Sequence, residues 1–196
     1  MKYEEFLKCT KLSLEEIIAF SCGTLIEDPP EELPQLPAPP FLMIDRITSV
    51  ERNGSKGKIV AEMDVKLDNL FFQIHFRNDP VHPGCLGVDA IWQLLGFFCC
   101  LNGAQGGGRA LGCKEVEFLG QVRPFNKVVR YEINVRRFSN MPQQGTALAV
   151  GTGKVFVDDE HIYTINEAKS GVFKGIAYKD FPNRSQNSIG GRIVTE

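Results

Sequence analysis

From Gly84 to Leu101 apolar side chains fall on every side of a helical wheel, among them Leu86, Val88, Ile91, Leu94, Leu95, Phe97 and Phe98. Pro83-Gly84 opens the run, and Asn102-Gly103 followed by glycines at 106–108 closes it. At 1.5 Å per residue this is a helix about 27 Å long. Apolar nearly all round, it has to be buried. The flanking pattern supplies the cover. FLMIDRITSV (41–50) and GKIVAEMDV (57–65) flank Asn53-Gly54, the signature of a hairpin. After the helix come four strand-like runs, at 109–122, 127–138, 146–157 and 161–175, with Asp158-Asp159-Glu160 as a hairpin turn. One long helix and a set of antiparallel strands make an α+β fold, most simply a curved antiparallel sheet wrapped around the helix.

The N-terminal part is organised differently. Ser13-Leu14-Glu15-Glu16 is a capping-box pattern, with Ser13 as N-cap and Glu16 at N3. Ile17, Ile18 and Phe20 follow, and Gly23 suits the position after the last helical residue. This predicts a short helix over about 14–22, the alternative being a frayed arm. Residues 27–40 hold six prolines in fourteen positions, which excludes a helix or a central strand and leaves an extended connector. Too little precedes the connector to form a domain, so residues 1–178 are read as one domain with the connector wrapped over it. Residues 179–196 are polar and without periodicity, and a loosely ordered tail is expected there.

Composition narrows the function classes. The 196 residues are 43% hydrophobic and 23% charged, with a formal net charge of −2, so nothing at bulk level points to nucleic acid. An apolar stretch of membrane-spanning length and an apolar signal core at the N-terminus are not expected from the residue pattern, and a cytoplasmic protein without membrane attachment is. Of the six cysteines none forms a CxxC pair. Cys85, Cys99, Cys100 and Cys113 sit in apolar or glycine-rich surroundings and read as buried free thiols rather than disulfides or a zinc site. GAQGGGR (103–109) lacks the Lys-Ser/Thr ending of a phosphate loop and follows a helix. His75 and His82 lack a third metal ligand. No metal and no cofactor are expected.

The candidate chemistry lies in HFRNDPVHPGCLGVDAIWQL (75–94). Pro83 and Gly84 start the helix, whose first N–H groups have no internal partner and carry the positive end of the helix dipole. Gly84, with Cys85 next to it, presents that backbone to a ligand oxygen as an oxyanion site would. Asp89 lies one and a half turns into the helix, where burial would favour its protonated form. His75, in the apolar FFQIHF stretch, could accept a proton. A base, an acid and an oxyanion hole are what β-elimination of water from a 3-hydroxyacyl thioester requires. Pattern alone leaves another reading open, a structural histidine in an aromatic strand and an aspartate serving as a cap or internal hydrogen bonder.

The same segment closely resembles the active-site motif of the bacterial 3-hydroxydecanoyl-[acyl-carrier-protein] dehydratase/isomerase family, HF-x-x-DPV-x-PGCLG-x-DA-x-WQL-x-GF. The resemblance extends to LPAPPFLMIDRI (36–47), GRALGCKEVEFLGQVRP (108–124) and VDDEHIYTINEAKSGVF (157–173), and spans roughly residues 12–175. It implies the hot-dog fold and a homodimer with two sites at the interface. It further implies His75 as base, Asp89 of the other subunit as acid, and the Gly84 amide as the group that binds the thioester carbonyl. Gln93, one turn beyond Asp89, either orients that carboxyl or makes a plain interface contact. The substrate would be a phosphopantetheine-linked acyl chain on acyl carrier protein. A second activity, isomerisation of trans-2- to cis-3-decenoyl, would use the same base and hole. Asp rather than Glu in DAxWQL favours this subfamily over dehydratase-only relatives.

The chain also departs from that pattern. His82 stands where the family usually has Met; it either perturbs the pKa of the His75–Asp89 pair or faces solvent, and the second is favoured. Arg77-Asn78 replaces a glycine-containing pair, although Asn tolerates the left-handed backbone that glycine allows. Met141-Pro142-Gln143-Gln144 replaces a loop that often carries arginines. Arg136, Arg137, Lys169 and Lys174 are left as candidates for docking an acidic carrier, unless they are ordinary solvated charges. Two other functions stay open, a hot-dog acyl thioesterase that would not need His75, and a non-catalytic acyl-binding scaffold of a larger synthase.

Overall fold

The computed structural model describes residues 1–177 and the pair Arg192–Ile193. The chain runs α1 (Tyr3–Phe6), α2 (Leu14–Ser21), β1 (Arg46–Asn53), β2 (Lys56–Asp64), α3 (Leu70–Ile74) and α4 (Gly84–Leu101). It continues through β3 (Gly107–Gly112), β4 (Glu115–Phe118), β5 (Val128–Met141), β6 (Thr146–Val157), β7 (Glu160–Phe173), β8 (Ile176–Ala177) and β9 (Arg192–Ile193). The expected α+β architecture is what forms, an antiparallel seven-stranded sheet packed against the long helix α4. Strand order is β1-β2-β5-β6-β7-β3, with β4 also paired to β7.

The N-terminal signals act locally. Ser13 accepts the Glu16 backbone N–H at 3.3 Å while the Glu16 carboxylate accepts the Ser13 N–H at 2.8 Å, and Gly23 adopts φ +74° just past the helix end. The hairpin turn after Asn53 uses Gly54 at φ +59°, and the β6–β7 turn places Asp158 and Asp159 at φ 47° and 69°, the left-handed pair a two-residue hairpin needs. The run read as a single strand at 109–122 is two strands. β3 pairs with Lys169–Phe173 and β4 with Tyr163–Asn166 of the same β7, the break falling at Cys113. The expected loose tail past Tyr178 falls outside the described residues apart from β9, which pairs with β8.

α4 begins and ends where its punctuation predicts, and most of its residues are buried. The expectation that no apolar stretch has membrane-spanning length is corrected, because α4 is by length and composition apolar enough to cross a membrane. The sheet and the N-terminal helices account for that apolarity. The Phe97 ring packs edge-on against Phe20 and Phe6, at 5.0 and 5.9 Å, and Phe98 against Phe138 of β5 at 5.7 Å. The Cys99 and Cys100 thiols are buried as expected, and burial pushes Cys99 up to about 12. Cys85 is instead exposed and Cys113 half-buried, which corrects their reading as core thiols.

The two sheet edges differ. Beside β1 an isolated bridge from Leu12 to Ile47 covers part of the edge. At the other end Arg109, Ala110 and Leu111 of β3 are exposed, and Phe118 and Leu119 lie exposed nearby. Large apolar side chains exposed beside an outer strand favour contact with another surface.

Candidate active site

His75 does not sit in a strand. FFQIHF forms the short helix α3, whose N-cap Asn69 accepts the Phe71 N–H at 2.9 Å, and His75 is its C-terminal cap, donating its N–H to the Phe71 carbonyl at 2.9 Å. A five-residue apolar run has no period that separates helix from strand. The chain then reverses in a tight turn, with Phe76 and Asp79 exchanging backbone hydrogen bonds of 2.9 and 3.0 Å around Arg77-Asn78. Neither Arg77 nor Asn78 needs a positive φ, so the loss of glycine there is harmless. The return brings Val81 against His75 twice. The Val81 N–H donates to the His75 carbonyl at 2.8 Å, and the Val81 carbonyl lies 2.9 Å from His75 Nδ1. A carbonyl only accepts, so Nδ1 carries the proton and the Nε2 lone pair is left available.

His82 follows directly and corrects the expectation that it faces solvent: it is only 2% exposed. Its ring stands edge-on to Phe71 and Phe72, at 5.6 and 6.2 Å, and its backbone N–H donates to the Val122 carbonyl at 3.0 Å. The ring Nε2 has no hydrogen-bond partner among the described residues. Burial, and then the neighbouring His75, lower its pKa to about 4, with the Pro83 carbonyl working weakly the other way. The unfolded chain therefore binds more protons than the folded one between about pH 6.5 and pH 4. Stability supplied by the neutral ring is fully present above pH 6.5 and is lost as pH falls through that window, by about 3 kcal/mol in all. The urea midpoint of the wild type is expected to fall over that range, and His82→Met should flatten the fall. An unchanged slope would show that another group controls it.

At the start of α4, the N–H groups of Gly84 and Cys85 donate to nothing among the described residues, and Pro83 as N-cap supplies no side-chain acceptor. These two N–H groups are therefore open at the start of α4. Glycine at 84 also has a packing cause, because a Cβ there would come within 2.6 Å of the Phe118 ring.

Asp89 is held, and Gln93 holds it. Gln93 Nε2 donates to Asp89 Oδ2 at 2.7 Å and to the Phe41 carbonyl at 3.0 Å, while Oε1 accepts the Met43 N–H at 3.1 Å. With two acceptors facing Nε2 and a donor facing Oε1, the amide has one orientation. Of the two readings of Gln93, the orienting one describes this protomer. Leaving the Asp89 carboxyl without this partner removes roughly 1–3 kcal/mol. Gln93→Leu is therefore expected to lower kcat by about 10- to 100-fold, with little change in KM. A KM effect alone would assign Gln93 to binding.

Asp89 and Gln93 stand on the wall of a cavity of about 220 Å³ between α4, the proline-rich connector and the β3–β7 edge. Its apolar lining includes Phe20, Leu36, Phe41, Trp92, Phe97 and Val172. His75, Pro83, Gly84 and Cys85 are not part of that lining. No hydrogen bond or ion pair joins His75 to Asp89 among the described residues, and each has its own orienting partner.

Of the four basic candidates, two come together. Arg137 pairs with Val150 and Val150 with Lys169, one row across β5, β6 and β7, which sets the two charges about 10 Å apart on one face. Arg136 lies in the register shift next to them, and Lys174 lies past the end of β7, its Nζ 3.5 Å from Gln105 Oε1. Sequence reasoning missed the backbone partners of the site, namely the Val81 carbonyl, the Phe41 carbonyl and the Met43 N–H. Main-chain groups leave no residue signature. The only hint was that Phe41 and Met43 lie in the LPAPPFLMIDRI stretch.

The dehydratase heterocomplex ApeI:P from Xenorhabdus doucetiae matches 86% of this chain and 93% of its own at 11% identity, with a TM-score of 0.51. At that identity the likeness is one of fold. The PaaI protein from the phenylacetic acid degradation operon of E. coli matches 59% of this chain and 72% of its own at 13% identity, with a TM-score of 0.42. The sheet wrapped on its central helix is a hot-dog fold. A family model described as a FabA-like domain matches residues 36–166, which include α3, all of α4 and the residues that orient His75 and Asp89. Since that match covers more than half of the chain, this protein belongs to the FabA-like family.

Proposed function

We propose that the protein is a homodimeric dehydratase of 3-hydroxyacyl thioesters carried on acyl carrier protein. The observation that carries this reading is the pair of separately oriented groups, a histidine with a free Nε2 and a carboxyl held at the wall of an apolar cavity. Each is oriented for proton transfer, and no hydrogen bond or ion pair joins them within one protomer among the described residues. In the proposed dimer, His75 of one subunit meets Asp89 of the other.

In the reaction, His75 Nε2 removes the proton on the carbon next to the thioester carbonyl. The electron pair forms the carbon–carbon double bond and the bond to the 3-hydroxyl breaks. Asp89 in its acid form delivers its proton to the departing oxygen, so that water and a trans-2-enoyl thioester leave together. Gln93 donates to Oδ2 and leaves Oδ1 to carry that proton. The open N–H groups of Gly84 and Cys85 receive the negative charge that develops on the carbonyl oxygen. The acyl chain enters the apolar cavity. Arg137 and Lys169, with Arg136 and Lys174 nearby, suit an acidic carrier by charge. Isomerisation to the cis-3 product, by removal of a C4 proton and return of a proton to C2, would use the same base.

The test is the product spectrum of the purified protein on a 3-hydroxydecanoyl thioester, followed by NMR. A trans-2 product is expected, with cis-3 isomer appearing later if the isomerase step is present. Release of free acid would replace this reading with a thioesterase. Tight thioester binding without turnover would make the protein an acyl-binding scaffold.

A further inference from the structure

Glycine in the middle of a helix costs about 0.5–1 kcal/mol relative to alanine, so an interior helical glycine needs a reason. α4 has three, Gly84 as its first residue and Gly87 and Gly96 in its interior. For Gly84 and Gly87 packing supplies the reason, since a Cβ would come within 2.6 Å of the Phe118 ring and 2.7 Å of the Tyr163 ring. Gly96 has no such reason. It lies inside the helix without a positive φ, and a Cβ there would meet only Ser170 Oγ, at the ordinary contact distance of 3.6 Å. Neither backbone nor packing calls for glycine at this position.

What Gly96 does border is the cavity. Asp89, Gln93, Gly96 and Cys100 fall at helical spacing on one face of α4, and all four line it. Gly96 lies about 10 Å along the helix from Asp89, and Cys100 lies about one turn farther on. We infer that Gly96 is a specificity-determining residue, whose missing side chain leaves the cavity wide enough for a medium-length acyl chain to pass beyond the Asp89–Gln93 end. This deepens the proposed function and rests on its assignment of the cavity to the acyl chain. A short acyl group ends before this position and is indifferent to it; a longer one has to pass it.

The experiment compares wild type, Gly96→Ala and Gly96→Val on 3-hydroxybutanoyl and 3-hydroxydecanoyl thioesters. One methyl group in an apolar pocket discriminates by about 10- to 200-fold. The ratio of kcat/KM for decanoyl over butanoyl is expected to fall by that order in Gly96→Ala and further in Gly96→Val. Butanoyl turnover should hold, and the melting temperature of Gly96→Ala should not drop. An unchanged ratio overturns the inference. An equal loss on both substrates together with a lower melting temperature also overturns it, because the glycine would then serve packing. Calorimetric binding of non-cleavable decanoyl and butanoyl pantetheine thioethers separates this inference from the dehydratase reading. If the wild type binds the decanoyl probe but turns over neither substrate, the dehydratase reading fails; weaker decanoyl binding by Gly96→Val still supports the role of Gly96, and unchanged binding sinks it.

Discussion

His75→Ala and Asp89→Asn are each expected to lower dehydration of a 3-hydroxydecanoyl thioester by about 10²–10⁴-fold, the usual worth of a general acid or base. Both variants should remain folded, because neither side chain belongs to the buried core. The decisive result is their mixture. If each site takes His75 from one subunit and Asp89 from the other, a mixed dimer holds one site with both residues intact and one with both replaced. With random exchange in a two-fold dimer, about half the dimers are mixed and half of their sites are whole, so activity should return to about a quarter of wild type. A pair acting within one chain would show no recovery, and that outcome would overturn the cross-subunit assignment. Among the described residues His75 is anchored to Val81 and Asp89 to Gln93, and no hydrogen bond or ion pair joins the two.

Phe98→Ala is the change expected to cost most in stability. Phe98 is 1% exposed on the sheet side of α4 and packs edge-on against Phe138 at 5.7 Å. Its ring also fills the space at Gly57, where a Cβ would lie 2.6 Å away. One side chain thus joins the central helix to β2 and β5. Truncating such a ring removes its transfer energy and leaves a void that close-packed neighbours fill poorly, a loss of about 3–5 kcal/mol. For a chain of this size the melting temperature should drop by about 6–20 °C. Phe125→Ala is the control, since that ring is 80% exposed and its loss should lie within about 0.5 kcal/mol. A Phe98→Ala loss below about 1 kcal/mol would show that the helix–sheet contact is far looser than it looks.

Much of the fold was legible in the sequence because its signals are local and periodic. The capping box at Ser13, the Asn53-Gly54 turn and the Pro83-Gly84 start of α4 each act within a few residues, and each formed where its residue types predicted. The all-round apolarity of α4 demanded a sheet around it, and the alternating runs that follow supplied one. The site residues were legible as types, a histidine, a proline-glycine helix start, an aspartate in an apolar run and a glutamine one turn on. Their environments were not. α3 was mistaken for a strand because five apolar residues carry too little periodicity. Cys85 was taken as buried and His82 as exposed because exposure depends on what packs from elsewhere in the chain, here Phe71, Phe72 and Val122 around His82.

The sequence by itself therefore determined the class of fold, the ends of the central helix and the chemical groups available, since these follow from propensity, turn chemistry and hydrophobic period. Only the tertiary structure decided which ring nitrogen of His75 is free, what holds Asp89, and which helical glycine borders a cavity rather than a neighbouring ring. Those depend on the Val81 and Phe41 carbonyls and on rings from distant strands, brought into place by a chain reversal and by a proline-rich segment crossing α4, and main-chain groups that arrive from far along the chain leave no mark in the residues they serve.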